Sequence, residues 1–364
     1  MNKKTVLFVI DNLGKGGAET LLIGLLPELH LLFDVVIVTL SDEYEFEPSQ
    51  LVCGQRLSLG FTGKWSFVAT IKKLKKIIEQ TEPVLVHAHL LNSSIVARVA
   101  CPSNIPLVYS LHTILSKDAF DKSLLYTWLE RVTVKARHHV IAVSQAALDD
   151  YRKIISSPGQ SFVLNNYVAD SFITSESPLP KTPTGRPLKL LSVGNLKAVK
   201  NYHYLVQAFE YLKDLPVTID IYGQGEPQTV SAFQKEIYSK NLSIVLKGRA
   251  DQIAELLPLY DLFVMPSRYE GFGIAPIEAM AVGLPLLLSD IPVFRDITYG
   301  NALFFNLDDP KSFASLITDI INNQYDLELL SERGISIVKE NYTKAIYLQK
   351  LLEIYGQLQP KLAE

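Results

Sequence analysis

The sequence predicts an α/β fold made of two doubly wound, parallel-sheet domains in tandem. Three observations carry that reading. Short apolar runs rich in Val, Ile and Leu alternate with longer segments of helical period along all 364 residues. The runs are continuous rather than alternating, which suits strands covered on both faces. A stretch at 174–187, with four prolines and a glycine in fourteen residues, divides the runs into two sets of six. Proline stiffens and extends such a segment, so it reads as a linker.

In order, the first set of strands is 6–10, 35–40, 84–89, 106–112, 139–144 and 162–165. The second is 188–194, 217–223, 242–248, 262–266, 284–290 and 302–307. Strand–helix alternation implies crossover connections and hence parallel sheets. Six runs per half suffice for a complete doubly wound domain. The apolar positions of 342–358 fall at helical spacing. That last helix has two candidate homes, its own sheet or the first domain.

Composition excludes several classes. The formal charge is -3 and the pI near 6.2, which argues against binding driven by nucleic-acid phosphates. The two cysteines, Cys53 and Cys101, form no CxxC or zinc spacing, so a reducing compartment is the default. The run 6–10 is too short for a secretion signal, and no stretch approaches ~18 uninterrupted apolar residues. A cytoplasmic protein is the expectation.

In open α/β sheets ligands bind beyond the carboxyl ends of the strands. Both halves carry glycine loops and polar groups there, which predicts two rims facing across a cleft. After the first strand come Gly14, Lys15, Gly16 and Gly17, then Ala18, Glu19 and a helix. Such a loop can cradle a phosphate or be a tight turn, and both readings stay open. The spacing is not GxGxxG, so a nicotinamide fingerprint is unsupported. The second half opens with Gly194, Asn195, Lys197 and Lys200 before a helix at 202–212. Lys200, at the helix start, can meet a diphosphate as a mobile point charge. Segment 266–285 is the most specific. Glu270 lies on a glycine loop, a helix begins near Ala275 or Pro276, and Glu278 follows in or near its first turn. Between the carboxylates, the amides of Gly273, Ile274 and Ala275 could point at an anion. A ligand with hydroxyls at both ends and phosphates between them fits: a nucleotide sugar.

The 266–285 segment resembles the E-x7-E motif of retaining GT-B glycosyltransferases of the family 4 type, and other segments agree in order. Gly16-Gly17-Ala18-Glu19 resembles the family's GGxE loop, His87-Ala88-His89 its HxH strand end, and 110–113 the segment with its active-site histidine, here His112. Residues 163–170, with Asn166, resemble its interdomain segment, and 194–201 its GRLxxxKN loop, with Asn195 where arginine is common.

The resemblance implies two Rossmann-like domains facing across a cleft. The first is 1–173, the acceptor domain, with 345–364 crossing back to it. The linker is 174–187, and 188–344 is the donor domain. It implies sugar transfer from a nucleotide-diphosphate sugar to an acceptor hydroxyl with retention, in surface-polysaccharide or lipid-linked glycan synthesis. Glu270 would hold donor-sugar hydroxyls, Glu278 the ribose, and Lys200 the diphosphate. Amides of Gly17 and of 273–275 would add donors, Arg249 would lie near the base, and His112 near the reacting centre. Catalytic roles fall to His112 and Glu270; donor contacts to Gly16, Gly17, Asn195, Lys200, Arg249, Gly273, Ile274, Ala275 and Glu278; His89 faces the acceptor. No cofactor or metal is expected.

Two histidines alone leave a metal site incomplete, so His87 and His89 read as buried or acceptor-facing. Trp65 and Trp128 read as packing residues. Lys64, Lys72, Lys73, Lys75 and Lys76 flank an apolar stripe from Phe67 to Ile78. Such a helix can lie on an anionic membrane or simply cover a sheet, and the second reading leads. Peripheral contact at the inner face of a membrane stays open. A nucleotide-sugar epimerase and a non-catalytic binding protein are the competing functions.

Overall fold

The computed structural model describes residues 3–14, 16–63, 66–121, 123–155, 158–173, 185–250 and 252–362. Lys15, Lys64, Trp65 and most of the expected linker lie outside the described residues. The chain forms two units: Met1–Tyr167 with Lys344–Glu364, and Val168–Thr343. Residues 168–173, assigned to the first domain from sequence, therefore group with the second. Val168 N donates to Tyr342 O there, at 2.8 Å.

The first unit holds a parallel sheet of seven strands: β1 (Thr5–Ile10), β2 (Asp34–Thr39), β3 (Gln55–Ser58), β4 (Leu85–His89), β5 (Leu107–Leu111), β6 (His138–Ala142) and β7 (Ser161–Val163). Their order is β3-β2-β1-β4-β5-β6-β7. The central strands are buried almost throughout, as their continuous Val/Ile/Leu runs require. β3 was not foreseen. Its four residues are mostly exposed, and backbone pairing with β2 holds it at the sheet edge. An edge strand buries no face, so it leaves no apolar run to read.

The helices of this unit include α1 (Gly17–Leu32), α2 (Phe67–Thr81), α3 (Leu91–Ala100) and α4 (Leu124–Thr133). A fifth, α5 (Gln145–Ile154), comes after β6. α3 is buried from Ser93 on except at Val99, and packs against both α2 and α4. Its Arg98 is fully buried. It pairs with Glu130 of α4 through both terminal guanidinium nitrogens and stacks over Tyr109 with 4.7 Å to the ring centre. Tyr151 donates to the same carboxylate at 2.7 Å.

The second unit holds six parallel strands: β8 (Leu188–Val193), β9 (Val217–Tyr222), β10 (Ile244–Gly248), β11 (Leu262–Met265), β12 (Leu286–Ser289) and β13 (Leu303–Phe305). Their order is β10-β9-β8-β11-β12-β13. All six coincide with apolar runs read from sequence. Of its helices, α6 (His203–Phe209), α7 (Pro227–Ser239), α8 (Ile253–Leu256), α9 (Ile274–Ala281), α10 (Pro292–Thr298), α11 (Pro310–Ile321) and α12 (Leu327–Asn341), α9 positions the site.

The last helix, α13 (Lys344–Leu358), belongs to the first unit. Tyr347, Leu351, Ile354 and Tyr355 are buried in one cluster with α1 and β1. Lys344 Nζ pairs with Glu28 Oε1 of α1 at 3.2 Å. Of the two homes open to this helix, the structure uses the first domain. In both sheets the strand order reverses beside the first strand, between β1 and β4 and between β8 and β11. These switch points are where doubly wound sheets bind ligands.

Candidate functional site

In the second unit the site grows from the loops after β8 and β11, which are neighbours in the sheet. The loop after β8 is held tightly. A Cβ on Gly223, at the end of β9, would stand 2.0 Å from Gly194 O, so the two loops meet only because that residue is glycine. Tyr202 donates to Gly194 O at 3.0 Å. Asn195 Oδ1 accepts from Gln224 N at 3.0 Å. Lys197 is exposed, whereas Lys200 is half-buried.

Lys200 Nζ lies 2.7 Å from Glu270 Oε1. Ser267 Oγ donates to the same oxygen at 2.6 Å. Arg268 ties the loops again, its amide to Val199 O at 2.9 Å and its Nε to Asn201 Oδ1 at 3.2 Å. Sequence brought Lys200 and Glu270 forward separately. Ser267 was missed, although a hydroxyl three residues before a loop carboxylate is a readable signal.

Gly273 caps α9 with φ +97°, a conformation that side chains rarely adopt. No side chain caps this helix. The amides of Ile274 and Ala275, in its first turn, have no helical acceptor and carry the positive end of the helix dipole. Glu278 is the fifth residue of α9, one or two residues further in than the sequence suggested. Its carboxylate meets no hydrogen-bond donor among the described residues, and burial pushes it up to about 7. Arg249 comes after β10, the edge strand, and is exposed.

In the first unit, Asp11 at the end of β1 accepts from Ser93 N at 2.7 Å and from Asn92 Nδ2 at 2.9 Å. It thereby serves the open N-terminus of α3. Gly16 is the N-cap of α1, and a Cβ there would come within 2.3 Å of Glu19 Oε2. Glu19 is buried; desolvation, helped by Asp11 and Glu43, raises its carboxyl above the ordinary range.

Three imidazoles line the ends of β4 and β5. His87 bridges Tyr355 OH at 2.6 Å and Ser110 Oγ at 2.8 Å. Its ring stacks on His89, centres 4.2 Å apart. His89 Nδ1 meets His112 Nε2 at 3.1 Å, and His89 Nε2 is buried with no partner among the described residues. Burial lowers His87 to about 3 and His112 to about 4, so the row is neutral at ordinary pH. His87 is thus a buried bridge, and His112 is the half-buried end of the row. A cavity of about 240 Å³ opens beside it, lined by Asp11, Leu90, Ser94, Leu111, His112 and Asp118 among others.

Comparison with known proteins gives consistent matches. The family described as "Glycosyl transferases group 1" matches residues 178–336, and "Glycosyltransferase Family 4" matches 15–171. EpsF of Bacillus subtilis, named as a glycosyltransferase, is 25% identical over 341 residues, 85% of this chain and 86% of that protein. The O-antigen chain mannosyltransferase RfbU of Salmonella typhimurium is 28% identical over 223 residues, 58% of this chain and 59% of that one. Among solved structures, HepE of Anabaena in complex with UDP and glucose superposes with a TM-score of 0.82 at 19% identity, covering 98% of this chain and all of that one. WaaG, a glycosyltransferase of lipopolysaccharide biosynthesis, gives 0.72 at 15% identity, covering 94% and 96%. One family description fits each half and the GT-B fold is shared end to end: the chain belongs to the group 1, family 4 glycosyltransferases.

Proposed function

We propose that this glycosyltransferase moves a hexose from a nucleotide-diphosphate sugar to an acceptor hydroxyl with retention and without a metal ion. The observation that carries the reading is the Lys200–Glu270–Ser267 knot at the β8/β11 switch point, with the uncapped start of α9 next in the chain. A diphosphate suits the ammonium of Lys200 and the amides of 273–275, where charge grows as the leaving group departs. Glu278 supplies two oxygens for ribose hydroxyls. An incoming diphosphate competes with Glu270 for Lys200, and Glu270 is then released towards sugar hydroxyls.

Retention comes from attack on the face the leaving group departs from. The acceptor oxygen bonds to the anomeric carbon as the carbon–phosphate oxygen bond breaks. The acceptor proton passes to the departing phosphate. A glycosyl–Glu270 intermediate is disfavoured, because the Ser267 hydroxyl still donates to the carboxylate and the sugar hydroxyls take up the released oxygens. HepE has been determined with UDP and with UDP-glucose, which makes uridine diphosphate sugars the first donors to try. RfbU, an O-antigen chain mannosyltransferase, and WaaG, of lipopolysaccharide biosynthesis, support a surface-polysaccharide or lipid-linked glycan acceptor.

The test is a thermal-shift screen of nucleotide sugars, repeated with Glu278→Ala. Stabilisation by one donor, lost in the variant, supports the site; no donor stabilising the wild type defeats it. Incubation with donor and acceptor then separates transfer from binding alone. Mass spectrometry that trapped a glycosyl–Glu270 adduct would replace same-face attack with a two-step route.

A further inference from the structure

Glu270 lies in a loop, outside any helix or strand, with its carboxylate at the end of a flexible stem. Such a side chain gives up rotamer freedom when it binds, so a contact that fixes it beforehand improves recognition. Two donors fix it here, and both meet the same oxygen. Lys200 Nζ lies 2.7 Å from Oε1 and Ser267 Oγ 2.6 Å from it. Among the described residues, none donates to Oε2. A carboxylate only accepts, so the hydrogen in the second bond is that of the Ser267 hydroxyl.

The two donors differ in their freedom to leave. Lys200 is half-buried, a compact charge on a four-carbon stem that a diphosphate can draw away. Ser267 is fully buried, and its hydroxyl sits on a single carbon. Its backbone is held from the neighbouring strand. Ser289, fully buried at the end of β12, donates its hydroxyl to Ser267 O at 2.6 Å. The next residue is held as well, Arg268 N donating to Val199 O at 2.9 Å in the loop after β8. Three strand ends thus fix Ser267, and Ser267 fixes one oxygen of Glu270.

We propose that Ser267 is a positioning residue for recognition of the donor sugar. It keeps Oε1 in place when the diphosphate draws Lys200 away, and Oε2 is thereby presented to the sugar. Nucleotide and sugar are then read by separable parts. Lys200 and the first amides of α9 take the diphosphate, and the chain Ser289–Ser267–Glu270 takes the sugar. The substituent that meets Oε2 is a hydroxyl or an N–H, because the carboxylate has no hydrogen to give. This rests on the nucleotide-sugar reading and adds to it the residue that aims Glu270.

The test titrates the full chain with UDP-glucose and with UDP, or with whichever nucleotide sugar stabilises the wild type and its own nucleoside diphosphate. Ser267→Ala should weaken the nucleotide sugar about tenfold, the scale for one hydrogen bond to a charged group, and leave the nucleoside diphosphate unchanged. With Glu270→Ala already in place, Ser267→Ala should weaken nothing further, because one residue acts through the other. A Ser267→Ala protein that binds the nucleotide sugar as tightly as wild type overturns the proposal and leaves the donor reading standing. So does one that loses nucleotide sugar and nucleoside diphosphate alike, which marks a collapsed loop, and so does a further loss on top of Glu270→Ala. A wild type that binds no nucleotide sugar removes the donor reading, and this proposal with it.

Discussion

Lys200 and Glu270 are 70 residues apart in sequence and 2.7 Å apart in space, joined at the carboxyl ends of two neighbouring strands. The pair is a sheltered contact, with side chains 20% and 14% exposed. The contact leaves neither charge alone.

Replacing Lys200 should therefore remove charge stabilisation and free Glu270 at once. Lys200→Ala should lower kcat/KM by roughly 10²–10³, the scale for losing one preorganised electrostatic donor. Lys200→Arg should recover only part of it, because the guanidinium fork differs in shape and reach. Steady-state kinetics with a cognate donor and acceptor decides this. Equal activity of wild type and Lys200→Ala would remove Lys200 from the reaction.

Glu278 makes an opposite prediction for stability. Its carboxyl is raised from 4.5 to about 7, so the folded state binds its proton more tightly than the unfolded chain. Stability from this group is then lost as pH rises from about 4.5 through about 7. Glu278→Gln should stabilise the free protein at pH 8 by on the order of 1–3 kcal/mol, and by little at pH 4.5. The same variant should lose the nucleotide-sugar thermal shift. Melting curves at the two pH values check both halves of the claim.

The imidazole row has the reverse sign. His112 at about 4 and His87 at about 3 are depressed by burial from 6.5, so the unfolded chain takes up protons first. Stability is present above pH 6.5 and falls as pH drops toward those values. Each such histidine should cost about 2 kcal/mol between pH 6.5 and 5. Tm should fall across that interval, and His112→Gln should flatten the fall. A wild-type Tm that holds steady down to pH 5 contradicts the neutral row.

The same row fixes a tautomer. A buried imidazole nitrogen without a partner is better left as a lone pair than as an orphaned N–H. His89 should then carry its proton on Nδ1 and give it to His112 Nε2, so that His112 is protonated on Nδ1. Nitrogen-15 NMR of the two rings distinguishes the forms. A pyridine-type shift at His112 Nδ1 would refute the assignment.

At Gly273, φ is +97° and a Cβ would stand 3.0 Å from Phe294 Cε1. Gly273→Ala should destabilise by ~1–3 kcal/mol and weaken donor binding, since the turn that aims the first amides of α9 must move. Denaturant unfolding and donor titration measure the two effects. A variant as stable as wild type would show that the turn tolerates a side chain.

Much of this was legible in the sequence. Twelve strands were readable because a strand buried on both faces must be apolar along its length. The thirteenth, β3, was invisible, because an edge strand is held by backbone bonds that any sequence can make. Segment 266–285 announced itself through glycines, a proline and two carboxylates whose spacing only a strand–loop–helix turn explains. Arg98 was not legible, since a buried arginine reads as a surface charge until Glu130 and Tyr109 are brought to it.

The amino-acid order alone predicted the two parallel sheets and which loops carry glycines and polar groups, because periodicity and glycine placement are local properties. Tertiary structure decided what local pattern cannot encode. It gave Lys200 to Glu270, made His87 a buried bridge to Tyr355, and sent α13 to the first unit. It also turned Leu124, Val132 and Trp128 of α4 outward, where Trp128 reads from sequence as a packing residue, while Leu74 and Ile78 of α2 faced in. An amphipathic helix specifies that it has an apolar face; only the neighbours it meets determine whether that face is covered.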